Sequence, residues 1–536
     1  MLNDQLIEER FRDIDDKIKK LSVADVPDHR HNGFDSSRLY SKDIRFPDLY
    51  VERVLKTVSV GGNIQHAIDT LSAVGGGEVR LGTGTYVLNT DLVLYSGISL
   101  VGAGLGATTL DFGGGEFQVL VQGDLKTVGG TGVSITEGST TVTGVGGTTF
   151  LTNIVAGDTL FTKGTTLTSH GMYAEVASVT DDDTLVLKNA WPYPDITNIS
   201  TNIFAATKNV QIRDLTIANS SKGGVSGVLL LQYATNCLVE NVLVTNNSIT
   251  IGVLASVLLN SEFRNVESSY NGNTTTRHGF SFTFNRRCVL YNCTSIGNAG
   301  DGFSVGSQNF DLDSTNFLYS CFAEGNTGAG FKLLGVANLL SCRAFGNDGA
   351  GFEVTGDWNV LVNCNAVANG TSGVEIGSQG TQNTVENCLL IENGTFGIDI
   401  AGTINNIIGC VFNNNVSGSI QDAGTRTHYD NRGSGTFTAV NGANNNIDVS
   451  ENRFVRISGP TAAFSISGIA GGVNGKTVTL YNAVAFDFTL TNDATSTAAN
   501  RILTLTGADV TLTGVSVAHL VYNGTDARWI LLGTQG

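Results

Sequence analysis

Short runs of apolar residues, broken by Asn and Gly, recur at nearly constant spacing from about residue 214 to residue 415. In the clearest copies a Cys follows Asn or Ser, another Asn lies five residues later, and Gly with an apolar residue comes next. Asn292-Cys293, for example, leads to Asn298 and then to Gly302-Phe303. Successive copies lie 21 to 28 residues apart. A period of this size indicates a repeat architecture.

Each repeat has room for three short strands and three turns. Its apolar runs are three to five residues long and rich in Val, Ile, Leu, Phe and Thr. Helices of about 10–12 residues do not fit between the Gly and Asn residues. Asn at matching corners tolerates left-handed backbone and can hydrogen-bond along a stack of coils. The sequence therefore predicts an all-β protein, a parallel β-helix whose Cys column points inward.

Three segments before the main repeat fit the same interpretation. They are GGGEVRL at 75–81, GTYVL at 84–88 and ISLVGAG at 98–104. Together with the repeat they resemble the pectate-lyase superfamily of right-handed parallel β-helices, over roughly 60–112 and 204–430. The superfamily includes lyases, hydrolases, epimerases and non-catalytic phage spikes, so the resemblance implies a fold and leaves the activity open.

The remaining segments differ in pattern. Within 59–119, a helical apolar stripe predicts a short helix that caps the first coils. Residues 120–203 lack the coil phrase and alternate as Thr-rich strands, which predicts a small inserted β module. Residues 204–430 form the main β-helix. Residues 431–536 alternate again and are interpreted as a C-terminal module similar to a β-sandwich.

Residues 1–25 predict an amphipathic helix. Its apolar residues follow a 4-3-4-3 spacing at Ile7, Phe11, Ile14, Ile18 and Leu21. This spacing is typical of a coiled-coil seam of about two heptads, and so short a seam needs a larger assembly to hold it. A helix lying on its own domain is the alternative. We expect a homotrimer, the assembly that the resemblance to long phage spikes implies.

Residues 26–58 form a polar linker that contains two His residues one position apart, His29 and His31. The phrase from Asp28 to Leu39 resembles a short segment common in phage tail proteins, which implies attachment to a virion. On a threefold axis, this His pair would supply six imidazoles for an octahedral transition metal. Solvent-exposed histidines are the alternative. The expected function requires no other cofactor.

Charge and composition argue against several partners. The chain has 536 residues, of which 41% are hydrophobic, and a net charge of −17 that disfavours nucleic acid and anionic membranes. It contains no apolar run of 18 residues, and the charged residues 1–20 do not resemble a signal peptide. Of the eight Cys residues, six fall in the predicted inward column, so reduced thiols formed in a host cytoplasm are expected.

The candidate catalytic residues come from one outward column. The residue after each Gly-apolar pair should point away from the core, because side chains alternate along a strand. Its members are Ser281, Ser304, Lys332, Glu353, Glu375 and Asp399. Stacked coils lie about 4.8 Å apart, close to the roughly 5–5.5 Å between the carboxyls of a retaining glycosidase. The alternative is an acidic, solvated stripe partly balanced by Lys332.

Other residues have candidate roles in substrate binding. His278 and Asp301 each precede a Gly-Phe pair and should stack one coil apart, either as an acid/base pair or as an exposed contact. Trp358, in a turn between the carboxylate coils, is a candidate for stacking on a sugar ring. Trp191-Pro192-Tyr193 ends the inserted module. It is interpreted as a seal of the domain junction, with a sugar platform as the alternative.

These patterns leave three function classes. The favoured one is a tailspike or tail fibre of a phage virion, made in the host cytoplasm, that recognises a bacterial surface polysaccharide and is a candidate to depolymerise it. Its expected partners are capsule or lipopolysaccharide, other tail or baseplate proteins at the N-terminus, and copies of itself. The alternatives are a non-viral polysaccharide lyase, hydrolase or epimerase, and an adhesive fibre without activity.

Overall fold

The computed structural model describes residues 54–163, 171–224, 226–306, 316–424, 427–430, 433–449, 452–472 and 474–536. The predicted coiled-coil helix, the linker up to residue 53 and the pair His29 and His31 lie outside these residues. The last residues of the predicted linker, Leu55–Val58, form the first strand of the β-helix instead. The chain divides into two units, Met1–Arg53 and Val54–Gly536, and the described residues all belong to the second.

Three parallel sheets run along a β-helix, and each complete coil contributes a strand to each sheet. Strands before the Asn-Cys corner form sheet 1, and strands after that corner form sheet 2. Strands that begin at the Gly-apolar pair of the repeat, such as Gly302-Phe303, form sheet 3. Neighbouring coils pair in register, with Leu290 beside Leu318 and Leu318 beside Leu339. The predicted fold class, an all-β parallel β-helix, is confirmed.

The strand bounds follow the repeat. Sheet 1 consists of Leu55–Val58, Gly77–Leu81, Ile98–Val101, Val289–Tyr291, Asn316–Tyr319, Ala337–Leu340, Val360–Val362, Thr384–Glu386, Asn406–Ile408 and His428–Asp430. Sheet 2 consists of Gly84–Val87, Thr108–Asp111, Thr294–Ile296, Phe322–Glu324, Arg343–Phe345, Asn365–Val367, Leu389–Ile391 and Val411–Asn413. Three longer strands bend and run through both sheets, namely Gln211–Ala218, Leu238–Thr245 and Glu262–Ser269. Sheet 3 consists of Leu92–Val93, Val119–Gln122, Thr207–Lys208, Gly227–Thr235, Ile251–Leu259, Phe280–Thr283, Phe303–Val305, Phe331–Leu333, Phe352–Val354, Val374–Ile376, Phe396–Ile400 and Gly418–Asp422.

The corner between sheets 1 and 2 explains why Asn or Ser precedes the Cys in the clearest copies of the repeat. This residue adopts left-handed backbone, with φ of +50° at Asn292 and +52° at Ser320. Asn visits this region more readily than most residues because its short side chain can hydrogen-bond locally. The following Cys then points into the core. All eight Cys residues are buried and free, which confirms the prediction of an inward thiol column.

Aromatic rings and amides form continuous stacks inside the coils. The rings of Phe280, Phe303, Phe331 and Phe352 lie face to face, with centroids 4.6 to 5.0 Å apart. A ladder of Asn side chains, buried except for the half-buried Asn415, links successive coils by amide hydrogen bonds between 2.7 and 3.0 Å. Its members are Asn247, Asn271, Asn298, Asn326, Asn347, Asn369, Asn393 and Asn415.

A helix caps the first coils, as the apolar stripe predicted. It spans Ile64–Ser72, and the side chain of Asn63 accepts a hydrogen bond from the backbone N–H of His66 at its start. This N-cap satisfies a donor that has no partner within the helix. The helix buries one face in the same apolar cluster as the β-helix core, through Ile64, Ala67, Ile68 and Leu71.

The inserted module is a sheet with its own core. Its strands are Asp124–Lys126, Gly132–Ile135, Thr141–Val145, Thr159–Lys163, Gly171–Asp181, Thr184–Leu187, Ile196–Ile199 and Thr201–Ala205, and a helical turn spans Phe150–Asn153. Trp191 is fully buried within this core, and its Nε1 donates to the carbonyl of Pro194. The interpretation of Trp191 as the junction seal was therefore wrong. A separate aromatic cluster that includes Phe161, Tyr173 and Phe204 packs against Val257 of the β-helix.

The C-terminal module contains two further sheets around a separate core. One sheet consists of Gly433–Thr438, Asn452–Ser458, Thr477–Asn482, Ile502–Leu503, Ser516–Asn523 and Arg528–Gln535. The other consists of Gly442–Asn444, Phe464–Ile466, Phe488–Leu490 and Val510–Leu512, and a short 3-10 turn spans Ala498–Asn500. This agrees with the β-sandwich-like module that alternation predicted. No helix in the described part of the chain is long and apolar enough to cross a membrane.

Candidate functional site

The predicted outward column lies on sheet 3. Its members pair in register from coil to coil, in the order Ser281, Ser304, Lys332, Glu353, Glu375 and Asp399. On the Glu353 strand, the two flanking residues Phe352 and Val354 are buried, so Glu353 faces away from the core. The fold therefore brings the three candidate carboxylates together on one face of the β-helix.

The two ends of this column differ in exposure. Ser281 and Ser304 are only 9% and 6% exposed, so this end is covered. Lys332, Glu353, Glu375 and Asp399 are half-buried. The charged groups of the column that solvent can reach are therefore the ammonium of Lys332 and the carboxylates of Glu353, Glu375 and Asp399.

Lys332 and Glu353 form an ion pair. The Lys332 Nζ lies 2.7 Å from Oε1 of Glu353. Burial lowers the pKa of Lys332, but the hydrogen bond to Glu353 and the charges of Glu353, Asp301 and Glu375 outweigh it, so its pKa is raised. Lys332 therefore remains cationic at neutral pH and anchors one end of the carboxylate row.

Glu375 occupies the centre of the carboxylate row. Burial raises the pKa of its carboxyl, and the charges of Glu353 on one coil and Asp399 on the next raise the pKa further, against the opposing charge of Lys332. Burial also raises the pKa of Asp399. Desolvation and like charge both favour the neutral form of a carboxyl. Of the three candidates, Glu375 is therefore the best placed to carry a proton.

A cleft of about 280 Å³ opens beside the row. Its lining consists of Lys332, Leu334, Glu353, Thr355, Gly377, Ser378 and Gln379. Hydroxyl, amide and charged groups next to an aliphatic side chain suit a sugar, which presents hydroxyls and short apolar faces. Sequence reasoning missed Leu334, Thr355 and Gly377. Strand alternation could have found them, since each lies two residues after a column member.

Trp358 does not belong to this lining. It lies at the corner after the Glu353 strand, with left-handed backbone at φ +59° and 43% of its surface exposed. Its backbone N–H donates to the carbonyl of Thr381 on the next coil. Trp358 is therefore an exposed aromatic at the corner of the carboxylate coils, and its role in stacking on a sugar stays a prediction.

His278 and Asp301 lie one coil apart, as their positions before Gly-Phe pairs predicted. The Nδ1 of His278 is 3.2 Å from Oδ2 of Asp301 and accepts a hydrogen bond of 3.1 Å from the Asp301 backbone N–H. The other carboxylate oxygen accepts from the N–H of Ala329 on the following coil. The contact is largely buried, so the expectation of an exposed contact was wrong. It joins three coils at the head of the charged column.

A second concavity, of about 440 Å³, lies where the inserted module meets the β-helix. Its polar lining includes Lys208, Arg286 and three Asn side chains, together with Glu175. The Glu175 carboxylate is already 3.0 Å from Nζ of Lys188. This groove has a single carboxylate among its lining residues, so the row on sheet 3 is the stronger candidate for acid/base chemistry.

The described residues contain no cluster of three or more His, Cys, Asp or Glu side chains that could hold a metal ion. The histidine pair at positions 29 and 31 lies outside the described residues.

Residues 201–359 match the family described as the right handed beta helix region. This stretch is a right-handed parallel β-helix. The match confirms the handedness and the fold that the repeat and the N-terminal motifs predicted. No protein of curated function matches the sequence.

Solved structures to which this chain is similar include viral and enzymatic proteins. The tailspike gp61 of Pseudomonas phage phi297 is 14% identical, with 80% of this chain and 79% of that chain covered and a TM-score of 0.44. The Gp54 tailspike of Acinetobacter baumannii bacteriophage AP22, solved in complex with a capsular saccharide, is 14% identical, with 82% and 85% covered and a TM-score of 0.41. The A-module of the Azotobacter vinelandii mannuronan C-5 epimerase AlgE4 is 16% identical, with 68% and 94% covered and a TM-score of 0.42. At these identities the similarity concerns the fold alone.

Proposed function

We propose that this chain is a phage tailspike or tail-fibre protein that binds a bacterial surface polysaccharide along sheet 3 and cleaves it as a retaining glycoside hydrolase. The observation that carries the catalytic proposal is the in-register row of Glu353, Glu375 and Asp399, of which Glu353 lines the cleft. In-register neighbours on parallel strands lie about 4.8 Å apart, near the roughly 5–5.5 Å of retaining glycosidases.

In this proposal the two central carboxyls have different roles. Glu375, with its raised pKa, donates its proton to the glycosidic oxygen as the bond to the leaving sugar breaks. Glu353, held by Lys332, attacks the anomeric carbon and forms a glycosyl ester. Glu375 then removes a proton from water, which hydrolyses the ester and restores both carboxyls. Asp399 keeps the pKa of Glu375 high, and Lys332 orients Glu353.

The charge of the row limits the sugar at the cleavage point. Three adjacent carboxylates on a chain of net charge −17 repel a uronate or a phosphorylated sugar. We therefore propose a neutral or amino sugar there, within a capsular or lipopolysaccharide chain. The capsular saccharide in the AP22 tailspike complex suggests this substrate class for the first assays.

The virion role is proposed from the N-terminal sequence. Residues 1–25 are proposed to hold three chains in a homotrimer through the seam, and residues 26–58 to attach the trimer to other tail or baseplate proteins. Three parallel copies would present three sheet 3 faces to a polysaccharide layer, which raises the apparent affinity through multivalency.

The test is hydrolysis of purified capsular polysaccharide and lipopolysaccharide by the full chain. We expect wild type to release oligosaccharides with new reducing ends, and Glu353→Gln and Glu375→Gln each to reduce the rate by about 10²–10⁴-fold. The matched control is Glu392→Gln, an exposed carboxylate at a corner of the same β-helix, which should keep full activity.

Other outcomes would separate the alternatives. An unsaturated sugar in the product, detected by its ultraviolet absorbance, would indicate a lyase and contradict the hydrolase mechanism. Inversion at a sugar carbon without chain cleavage would indicate an epimerase. If wild type cleaves and both Gln variants keep full activity, the row is not the catalytic site. Binding to cells without cleavage of any glycan would leave an adhesive fibre.

A further inference from the structure

The outer faces of sheets 1 and 2 carry apolar side chains over several adjacent coils. On sheet 1, Tyr291, Tyr319, Leu340 and Val362 follow one another in register, and all four point away from the core. On sheet 2 the residues outside the core include Phe345, next to Val367. We call the surface formed by Tyr291, Phe317, Tyr319, Leu340, Phe345 and Val362 the apolar face.

The apolar face has sharp limits along the β-helix. The residue before Tyr291 in its column is Arg264, and the residue after Val362 is Glu386. The face therefore spans four coils, or about 20 Å at roughly 4.8 Å per coil. On sheet 3 the same coils present Lys332, Glu353 and other polar groups instead. On sheet 1 this column is therefore a local run of apolar residues with a charged residue at each end.

The side chains on this face are exposed to solvent, and two of its aromatic rings are stacked on each other. Tyr291 is 36% exposed, Leu340 40% and Phe345 41%. The rings of Tyr291 and Tyr319 are stacked, with centroids 5.1 Å apart, and the guanidinium of Arg264 lies over the Tyr291 ring. Ordered aromatic rings lose little conformational freedom on association, and exposed apolar patches with charged rims mark protein interfaces.

We propose that the apolar face is the contact between copies of this chain, with sheet 1 of one copy against sheet 2 of the next around a threefold axis. Only two corner residues separate the two sheets, Asn292 and Cys293 in one coil, so the outer faces of the sheets form the two sides of a wedge. A cyclic assembly covers both sides of such a wedge at once, because each copy offers sheet 1 to one neighbour and sheet 2 to the other.

Two features select a second copy as the occupant. Chains of net charge −17 repel one another, and the six residues of this face include no carboxylate, unlike the row on sheet 3. Glu324 lies beside Phe345 at the edge of the face. The sequence also carries an independent self-association signal in the heptad-spaced residues Ile7, Phe11, Ile14, Ile18 and Leu21. The inference rests on the proposed homotrimer and adds the surface through which the β-helices meet.

The experiment is sedimentation of the full chain over a range of concentrations. Wild type should sediment with the mass of three chains. Leu340→Lys combined with Phe345→Lys places two cations in the contact and should raise the concentration for half-dissociation at least ten-fold. The matched control is Val87→Lys, on sheet 2 but outside the apolar face and 75% exposed, which should leave this concentration unchanged.

Hydroxyl-radical footprinting gives a second readout that does not depend on complete dissociation. Tyr291, Leu340 and Phe345 should be protected in wild type. Tyr291, which the double variant retains, should become reactive in that variant, while circular dichroism shows that the β-helix remains folded. A monomeric wild type overturns both the homotrimer and this face. A wild-type trimer in which these residues react freely, and whose dissociation is unaffected by the Lys variants, overturns the face and leaves the homotrimer standing.

Discussion

At the scale of single residues, Phe352 shows how much a core position of one coil contributes. Its ring is fully buried and stacks on Phe331 with centroids 5.0 Å apart. Phe352→Ala removes this ring and leaves a cavity that neighbouring coils fill only in part, so we expect a loss of about 3–5 kcal/mol of unfolding free energy. Denaturant unfolding of the full chain measures it. Phe486→Ala, at an exposed ring, is the control and should change stability by about 0.5 kcal/mol or less.

The carboxyl of Glu375 predicts a pH-dependent gain in stability on substitution. The pKa of this carboxyl is raised above its ordinary value of 4.5 by burial and by the neighbouring charges of Glu353 and Asp399. Between 4.5 and the raised value, the folded state binds more protons than the unfolded state, so the unfolding free energy falls as pH rises through this window. Glu375→Gln removes this penalty. We expect its midpoint of thermal unfolding to exceed that of wild type at pH ~7, because ionised Glu375 is the unfavourable form there.

The difference between Glu375→Gln and wild type should close when the pH falls below 4.5, where the carboxyl is protonated in both states. Differential scanning calorimetry at several pH values measures this dependence. Glu392→Gln serves as the control for loss of a surface carboxylate. A pH-independent difference for Glu375→Gln would contradict the electrostatic cause.

How far the sequence predicts individual residues depends on the origin of each contact. The outward column follows from the alternation of a strand and from the coil period, so the placement of Glu353 beside Glu375 was predictable. The burial of His278 and Asp301 was not, because it depends on the N–H of Ala329 one coil further on. Nor does alternation show that Gln379, in a turn after the strand, lines the cleft.

At the scale of structural elements, the Asn ladder holds the coils together where no strand is present. The Asn347 amide donates to the carbonyl of Ala323 and to Asn369, and its oxygen accepts from the backbone and side-chain N–H groups of Asn326. Asn347→Ala leaves these buried groups without their partner, at about 1–3 kcal/mol each. We therefore expect a loss of about 3 kcal/mol or more in urea unfolding. Asn365→Ala, at a half-exposed strand position, should change stability by about 0.5 kcal/mol or less.

A ladder that depended on water rather than on Asn347 would make the two Asn variants equally stable.

The repeat made the ladder and the Cys column predictable, because each recurs at a fixed position. The inserted module has no repeat, and its packing was harder to predict. Trp191 belongs to the core of the module. Phe161 and Tyr173 make the junction with the β-helix, although the sequences of their strands do not distinguish them from other strands of the module.

At the scale of the whole molecule, the β-helix carries two kinds of surface on different sheets. Sheet 3 carries the acidic row and its cleft, and the outer faces of sheets 1 and 2 carry the apolar face. Because side chains on adjacent coils stay in register, a column keeps one chemical character over several coils. The proposed division of labour, with association on one side and polysaccharide on another, leaves sheet 3 accessible in a trimer.

In the proposed homotrimer, the sequence predicts that His29 and His31 bind a metal ion. Three copies of a His-x-His pair on a threefold axis present six neutral imidazoles, a ligand set that suits an octahedral transition metal. We expect chelator-washed full-length trimer, resupplied with Ni²⁺ or Fe²⁺ and desalted, to retain about one metal per three chains. Elemental analysis measures the ratio.

His29→Ala and His31→Ala should each abolish retention, whereas His66→Ala, in the capping helix, should retain the wild-type amount. Because imidazole binds metal only when neutral, retention should also fall as the pH drops below about 6.5. Equal retention by all three variants, or loss of metal from the wild-type trimer on desalting, would place these histidines in solvent.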